Sequence, residues 1–176
     1  MALYDEIRAT RQAWAENDAK RDAGVPEPEG IRKIEDIVYT TSATKEEEPW
    51  HLTDIYFPEP WEGKDYPVIV SMHGGGWFYG DKKLYSLYTK YLASKGFAVV
   101  NFNYRLAPEY KYPCGFLDCC RLMDFLAKNA EQYRLDLNRL YMVGDSAGAQ
   151  LVSQYSIFAT SEEYRSLFEE AKDLAA

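Results

Sequence analysis

The sequence predicts an α/β fold, a mostly parallel sheet with helices on both faces. Two observations carry that expectation. From about residue 67 onward, short apolar runs alternate with segments of helical spacing. The runs are continuous rather than alternating apolar and polar, the pattern of strands buried on both sides. Size and composition fit one globular domain: 176 residues, 47% hydrophobic and 27% charged.

The elements follow in order. Leu3 to about Lys20 reads as an amphipathic helix with Leu3, Ile7 and Trp14 on one face. Gly24-Val-Pro-Glu-Pro-Glu-Gly30 breaks it, so residues 1–30 form a helix and linker ahead of the body, 31–176. Ile34–Thr40 and His51–Phe57 are extended runs around a turn at Thr44–Pro49. Pro58, Pro60 and Gly63 close this hairpin-like unit. Buried strands are expected at Pro67–Met72, Phe97–Phe102 and Arg139–Val143. Helices are expected at Leu84–Ser94, Phe116–Gln132 and Ala147–Thr160. Thr160-Ser-Glu-Glu163 has the form of a capping box that would start a last helix toward Ala176.

Charge and cysteine content exclude several roles. The net charge of −8 disfavours nucleic acid and anionic membrane surfaces. No apolar run has the length of a membrane span. The start, Met-Ala-Leu-Tyr-Asp-Glu, lacks the basic and apolar regions of a signal peptide. Three cysteines, Cys114, Cys119 and Cys120, form no disulfide framework, which together with the leaderless start suggests the cytoplasm. Their C-x4-C-C spacing is no zinc pattern, and neither a metal nor a cofactor is implied.

Two glycine motifs carry chemistry. Gly144-Asp-Ser-Ala-Gly148 lies between an expected strand and an expected helix, the setting of a nucleophile elbow. There Ser146 would stand at the sheet's C-terminal edge, with Gly144 and Gly148 where side chains would crowd the turn. The helix beginning at Ala147 would aim backbone N–H groups at a developing oxyanion. His73-Gly-Gly-Gly76 follows an earlier strand, and its bare backbone suits the other half of an oxyanion hole. Trp77, Phe78 and Tyr79 come next and are candidates for a pocket wall.

With Tyr104-Arg-Leu-Ala-Pro-Glu109 between these motifs, the chain resembles the hormone-sensitive-lipase-like branch of the α/β-hydrolases. The three blocks stand in the family's order. The resemblance implies an esterase acting on short-acyl, small-molecule esters, with Ser146 as nucleophile and Gly75, Gly76 and Ala147 as oxyanion donors. It implies structural roles for His73, Gly74, Asp145, Arg105 and Glu109, and a cap contribution from the N-terminal helix.

The resemblance also implies parts that are missing. A serine hydroxyl needs a base, and in this fold the acid and histidine follow the serine. No histidine follows Ser146; the chain has two, His51 and His73. The later carboxylates Glu162, Glu163, Glu169, Glu170 and Asp173 read as a solvated helix face. His51, opening a strand, reads as a surface or turn residue. The chain is therefore expected to be the N-terminal portion of the fold without its C-terminal strands, inactive alone. Arg139–Val143 would be an unpaired apolar edge open to self-association. The rival reading is a non-catalytic small-molecule-binding module on the same scaffold.

Overall fold

The computed structural model describes residues 2–60, 63–171 and 174. Its helices are α1 (Ala2–Asp22), α2 (Ser86–Ala93), α3 (Cys114–Asn129), α4 (Ala147–Thr160) and the short α5 (Glu162–Arg165). Its strands are β1 (Ile31–Val38), β2 (Leu52–Pro58), β3 (Tyr66–Met72), β4 (Ala98–Phe102) and β5 (Leu135–Gly144). They form one sheet in the order β1-β2-β4-β3-β5. β4, β3 and β5 run parallel, whereas β1 and β2 are antiparallel additions, so the sheet is mixed.

Side-chain alternation along the strands separates the two layers. Val68, Val70 and Met72 of β3 join Val100 and Phe102 of β4 in the larger core, with Phe116, Leu122, Leu126, Leu151 and Phe158 from α3 and α4. Ile69 and Val99 point the other way, toward Ala93 at the end of α2. Helices thus cover both faces, as the continuous apolar runs require. Cys119 and Cys120 are buried in the larger core as packing groups.

Register fixes where the chemistry sits. Met72 at the end of β3 lies opposite Gly144 at the end of β5. Parallel neighbours that end level release their following loops side by side. The His73 loop and the Ser146 turn therefore emerge together at the C-terminal edge, where open α/β sheets carry their sites.

A charged knot ties the antiparallel strands to this edge. Asp54 of β2 has no solvent exposure; its Oδ1 meets Lys82 Nζ at 2.5 Å and its Oδ2 meets Lys33 Nζ at 2.9 Å. Lys82 also pairs with Asp36 at 2.8 Å. Its backbone N–H donates to Asn103 Oδ1 at 2.6 Å, and its carbonyl accepts from Asn101 Nδ2.

Three expectations need correction. α1 has no buried residue, and Leu3 is exposed, so no apolar stripe docks it. The capping residue after α4 is Ser161, whose hydroxyl accepts from the Tyr164 N–H at 3.1 Å; the Thr160 hydroxyl instead donates back to the Ser156 carbonyl inside α4. The expected long last helix is the single turn of α5 followed by a 3-10 turn at Glu169–Ala171, because Ser166 caps α5 after four residues. Asp173 and the end of that expected helix lie outside the described residues.

Candidate active site

The turn at Gly144–Gly148 is built by close backbone approach. A Cβ on Gly148 would strike the Met72 carbonyl oxygen, and one on Gly144 would strike the Gly148 carbonyl. Only hydrogen fits at either place. The chain reverses through Ser146, at φ 51° and ψ −111°, and enters α4 directly. Such a conformation costs a non-glycine residue on the order of 1–3 kcal/mol. The surrounding bonds hold it: the Gly148 N–H donates to Asp145 O at 2.8 Å, and the Gln150 N–H to Ser146 O at 3.1 Å. Ser146 is left exposed at the N-terminus of α4, where the helix dipole favours negative charge.

The glycine loop lies beside it. Gly75 has φ 117°, and a Cβ there would run into the Tyr79 carbonyl. The Gly75 carbonyl accepts from the N–H groups of Phe78 and Tyr79, at 3.1 and 2.9 Å, which folds the loop back on itself. A Cβ on Gly74 would stand 2.9 Å from the Asp145 carbonyl oxygen and 3.2 Å from the Tyr85 hydroxyl. The two loops are therefore in van der Waals contact. Gly75, Gly76, Tyr79, Tyr85, Asp145 and Ser146 line one open cavity of about 360 Å³, bordered on its other side by Trp14, Asn17, Asp18 and Arg21 of α1.

A family model described as BD-FAE matches residues 53–174, which include both loops. The chain belongs to this family. Its fold is that of α/β-hydrolase esterases. Esterase B from Lactobacillus rhamnosis superposes with a TM-score of 0.88 at 32% identity, over 96% of this chain and 53% of that one. Carboxylesterase NlhH from Mycobacterium tuberculosis is 37% identical over 105 residues, 57% of this chain and 33% of that protein. Arylacetamide deacetylase from Bos taurus is 39% identical over 104 residues, 56% of this chain and 26% of that protein. The chain thus spans about half of esterase B and between a quarter and a third of the first curated relatives.

In this BD-FAE family chain the His73 side chain belongs to the loop. Its Nδ1–H donates to Gly74 O at 2.7 Å, and its ring stacks on Tyr104 at 4.2 Å. The Tyr104 hydroxyl in turn donates to His73 O at 2.7 Å. Burial pushes the imidazole down to about 4, outweighing the Gly74 carbonyl and Asp81, which raise it, so the ring is neutral at pH 7. His51 differs from its surface expectation. It ends the 3-10 turn Glu48–His51 and is buried, with Nδ1 2.7 Å from Ser42 Oγ and Nε2 3.4 Å from Asp118 Oδ1. These three form a serine–histidine–aspartate set, but Asp118 is already paired with Arg105 and Arg121. Burial pushes the Asp118 carboxyl up; His51 and Arg105 outweigh it and hold it below its ordinary value. Such a carboxylate braces and is a poor base. Among the described residues, neither histidine makes a hydrogen bond to Ser146.

The Tyr104–Glu109 block is divided between two tasks. Arg105 turns inward, bidentate on Asp118 and 2.9 Å from Glu47. Glu109 turns outward to Arg11 of α1 at 2.7 Å. Arg11 also donates to Ala107 O at 2.8 Å and Phe78 O at 2.6 Å, so one guanidinium joins α1 to the end of the glycine loop and to the Ala107–Glu109 segment. The wall expected from Trp77, Phe78 and Tyr79 is split in the same way. Tyr79 lines the Ser146 cavity and donates to Asp18 Oδ2 at 2.7 Å. Phe78 packs on Trp14 at 5.0 Å. Trp77 lines a separate cavity of about 290 Å³ with Arg105, Tyr110, Tyr112, Phe116 and Gln154.

Sequence reasoning missed Arg11, Asp18, Arg21 and Tyr85. The first three had a signal. With Trp14 they recur at spacings of three and four, one face of a helix, and that stripe is polar instead of apolar. Tyr85 had none, because the contact it makes is long-range.

Proposed function

We propose that Ser146 is the nucleophile of a carboxylic-ester hydrolase acting on small, short-acyl esters. The observation that carries this is the left-handed Ser146 at the N-terminus of α4, sharing one cavity with the Gly75–Gly76 backbone. The Ser146 hydroxyl oxygen attacks the ester carbonyl carbon as a base takes its proton. The carbonyl electron pair moves to oxygen, which the amides of Gly75, Gly76 and Ala147 receive. Collapse expels the alcohol, to which the base returns the proton, and leaves an acyl-serine that water then cleaves. His73 and His51 hold other partners, so the base and its acid are sought beyond the residues described. We assign α1 as cover of the site and the exposed edge of β5 as a surface for self-association. The esterase relatives support this reading, as does a related esterase B reported with a tributyrin phosphonate inhibitor.

Labelling with an alkyl 4-nitrophenyl phosphonate tests the assignment. Peptide mapping should find the adduct on Ser146, and Ser146→Ala should abolish it. An adduct on another serine, with Ser146 clean, sinks the proposal. Residues 1–176 alone should show almost no ester turnover, since losing the base of a serine triad costs on the order of a millionfold. The engaged histidines favour one rival, a binding module without chemistry. It predicts that Ser146→Ala leaves ligand affinity intact and that the full-length wild-type protein shows no turnover.

A further inference from the structure

The two sets of candidate oxyanion amides belong to different loops. Gly75 and Gly76 follow β3, and Ala147 follows β5. A single oxygen must lie about 2.7–3.1 Å from donors on both sides, so the gap between the loops sets the hole. The register of Met72 with Gly144 fixes the strand ends, not the loops beyond them. Three successive glycines carry no side chain with which to brace themselves. The brace comes from Tyr85, one residue before α2. Its hydroxyl donates to Asp145 Oδ2 at 2.5 Å, in the turn that carries Ser146. The same oxygen lies 3.2 Å from where a Cβ of Gly74 would stand, so it also fills the space against the glycine loop. Burial and then the Asp145 carboxylate push the phenol up to about 12, against a smaller opposing effect of the Gly74 amide, and Tyr85 remains a donor at neutral pH.

The foot of this strut is fixed as well. Tyr85 follows Lys82, which is held by the buried Asp54 and by Asn101 and Asn103. The Tyr85 carbonyl accepts from the Thr89 N–H at 2.9 Å, the first turn of α2. A rigid element therefore presents the hydroxyl where the loops meet.

We propose that Tyr85 is a positioning residue that holds the two halves of the oxyanion hole at working distance through Asp145. This rests on Ser146 and the glycine loop acting as proposed above. Removal of the hydroxyl alone should act on the charge that develops in the transition state and leave ground-state binding alone.

The test is 4-nitrophenyl butyrate hydrolysis and phosphonate labelling by the full-length protein carrying Tyr85→Phe, Asp145→Asn or both. For Tyr85→Phe we expect kcat to fall about tenfold or more, as for loss of a hydrogen bond to a charged group, with KM within about twofold. The labelling rate at Ser146 should fall in parallel and the melting temperature should stay close to wild type. The double variant should be no slower than the worse single one, because both remove the same bond. Wild-type kcat in Tyr85→Phe overturns the strut while leaving Ser146 in place. Additive losses in the double variant also overturn it, as does a rise in KM equal to the fall in kcat/KM. Absence of turnover and of Ser146 labelling in the wild type overturns the underlying assignment instead.

Discussion

The two walls of the Ser146 cavity are built by opposite means. The inner wall, the glycine loop and the elbow, is set by backbone against backbone, with the Tyr85 hydroxyl as its one side-chain strut. Gly148 sits on the Met72 carbonyl, Gly75 on the Tyr79 carbonyl and Gly74 on the Asp145 carbonyl. The outer wall, α1, buries no residue and is attached by the long side chains of Arg11, Trp14, Asp18 and Arg21. Backbone contacts leave room for only small shifts, the kind the Tyr85 strut would take up, whereas exposed side-chain contacts exchange with water at little cost. If Ser146 acts as proposed, the inner wall holds the developing charge and the outer wall admits substrate.

The comparison breaks most easily at its tightest point. Gly148→Val should abolish cooperative unfolding in a thermal melt, since its Cβ has no space above Met72; a normal melt would show that the wall yields. Next, Gly75→Val in an ester-hydrolysing protein should cost roughly 100-fold in turnover, the scale of one lost oxyanion donor. Near-normal turnover would move the donors elsewhere.

Acid and salt should separate the walls. His73 is held neutral by burial, so between pH 6.5 and about 4 the unfolded chain takes up a proton that the folded chain refuses. The stability from this group is complete above pH 6.5 and is lost as the pH falls toward 4, about 3 kcal/mol in all. Urea midpoints across that window should show the slope, and His73→Phe, which keeps a ring on Tyr104, should flatten it. The outer wall should respond to ionic strength instead. Arg11→Ala should change KM only a few-fold and lower the melt modestly, because its exposed pair with Glu109 contributes about 0–1 kcal/mol and its bonds to Phe78 O and Ala107 O about 1 kcal/mol each. High salt should reproduce only the ion-pair share of that change in the wild type. A change in kcat of the Gly75 size would mean that α1 also shapes the inner wall.

The legible part of the molecule was its local part. Continuous apolar runs placed β3, β4 and β5, and Gly-Asp-Ser-Ala-Gly placed the elbow, because each depends on neighbouring residues. The spacing of Leu3, Ile7 and Trp14 predicts an apolar stripe, yet the first helix docks through Arg11 and its companions. The cap falls on Ser161, one residue past the expected Thr160, because serine is the better cap and the Thr160 hydroxyl is spent on the Ser156 carbonyl inside α4. The sequence places His51 at the surface because its burial depends on Asp118, 67 positions away, and no local pattern records that pairing. Tyr85 was invisible for the same reason: its partner, Asp145, is 60 positions on.

The charged knot at Asp54 bears on where this chain can be divided. The hairpin of β1 and β2 looks dispensable, an antiparallel appendage at one side of a parallel sheet. Yet Lys82, 4% exposed, takes its counter-charges from Asp54 and Asp36 on those two strands. A cut between β2 and β3 would strand a buried ammonium three residues from Tyr85, at about 3–5 kcal/mol for an uncompensated buried charge. The hairpin is therefore part of the site's foundation, and the natural seam runs through the Gly24–Gly30 linker ahead of β1.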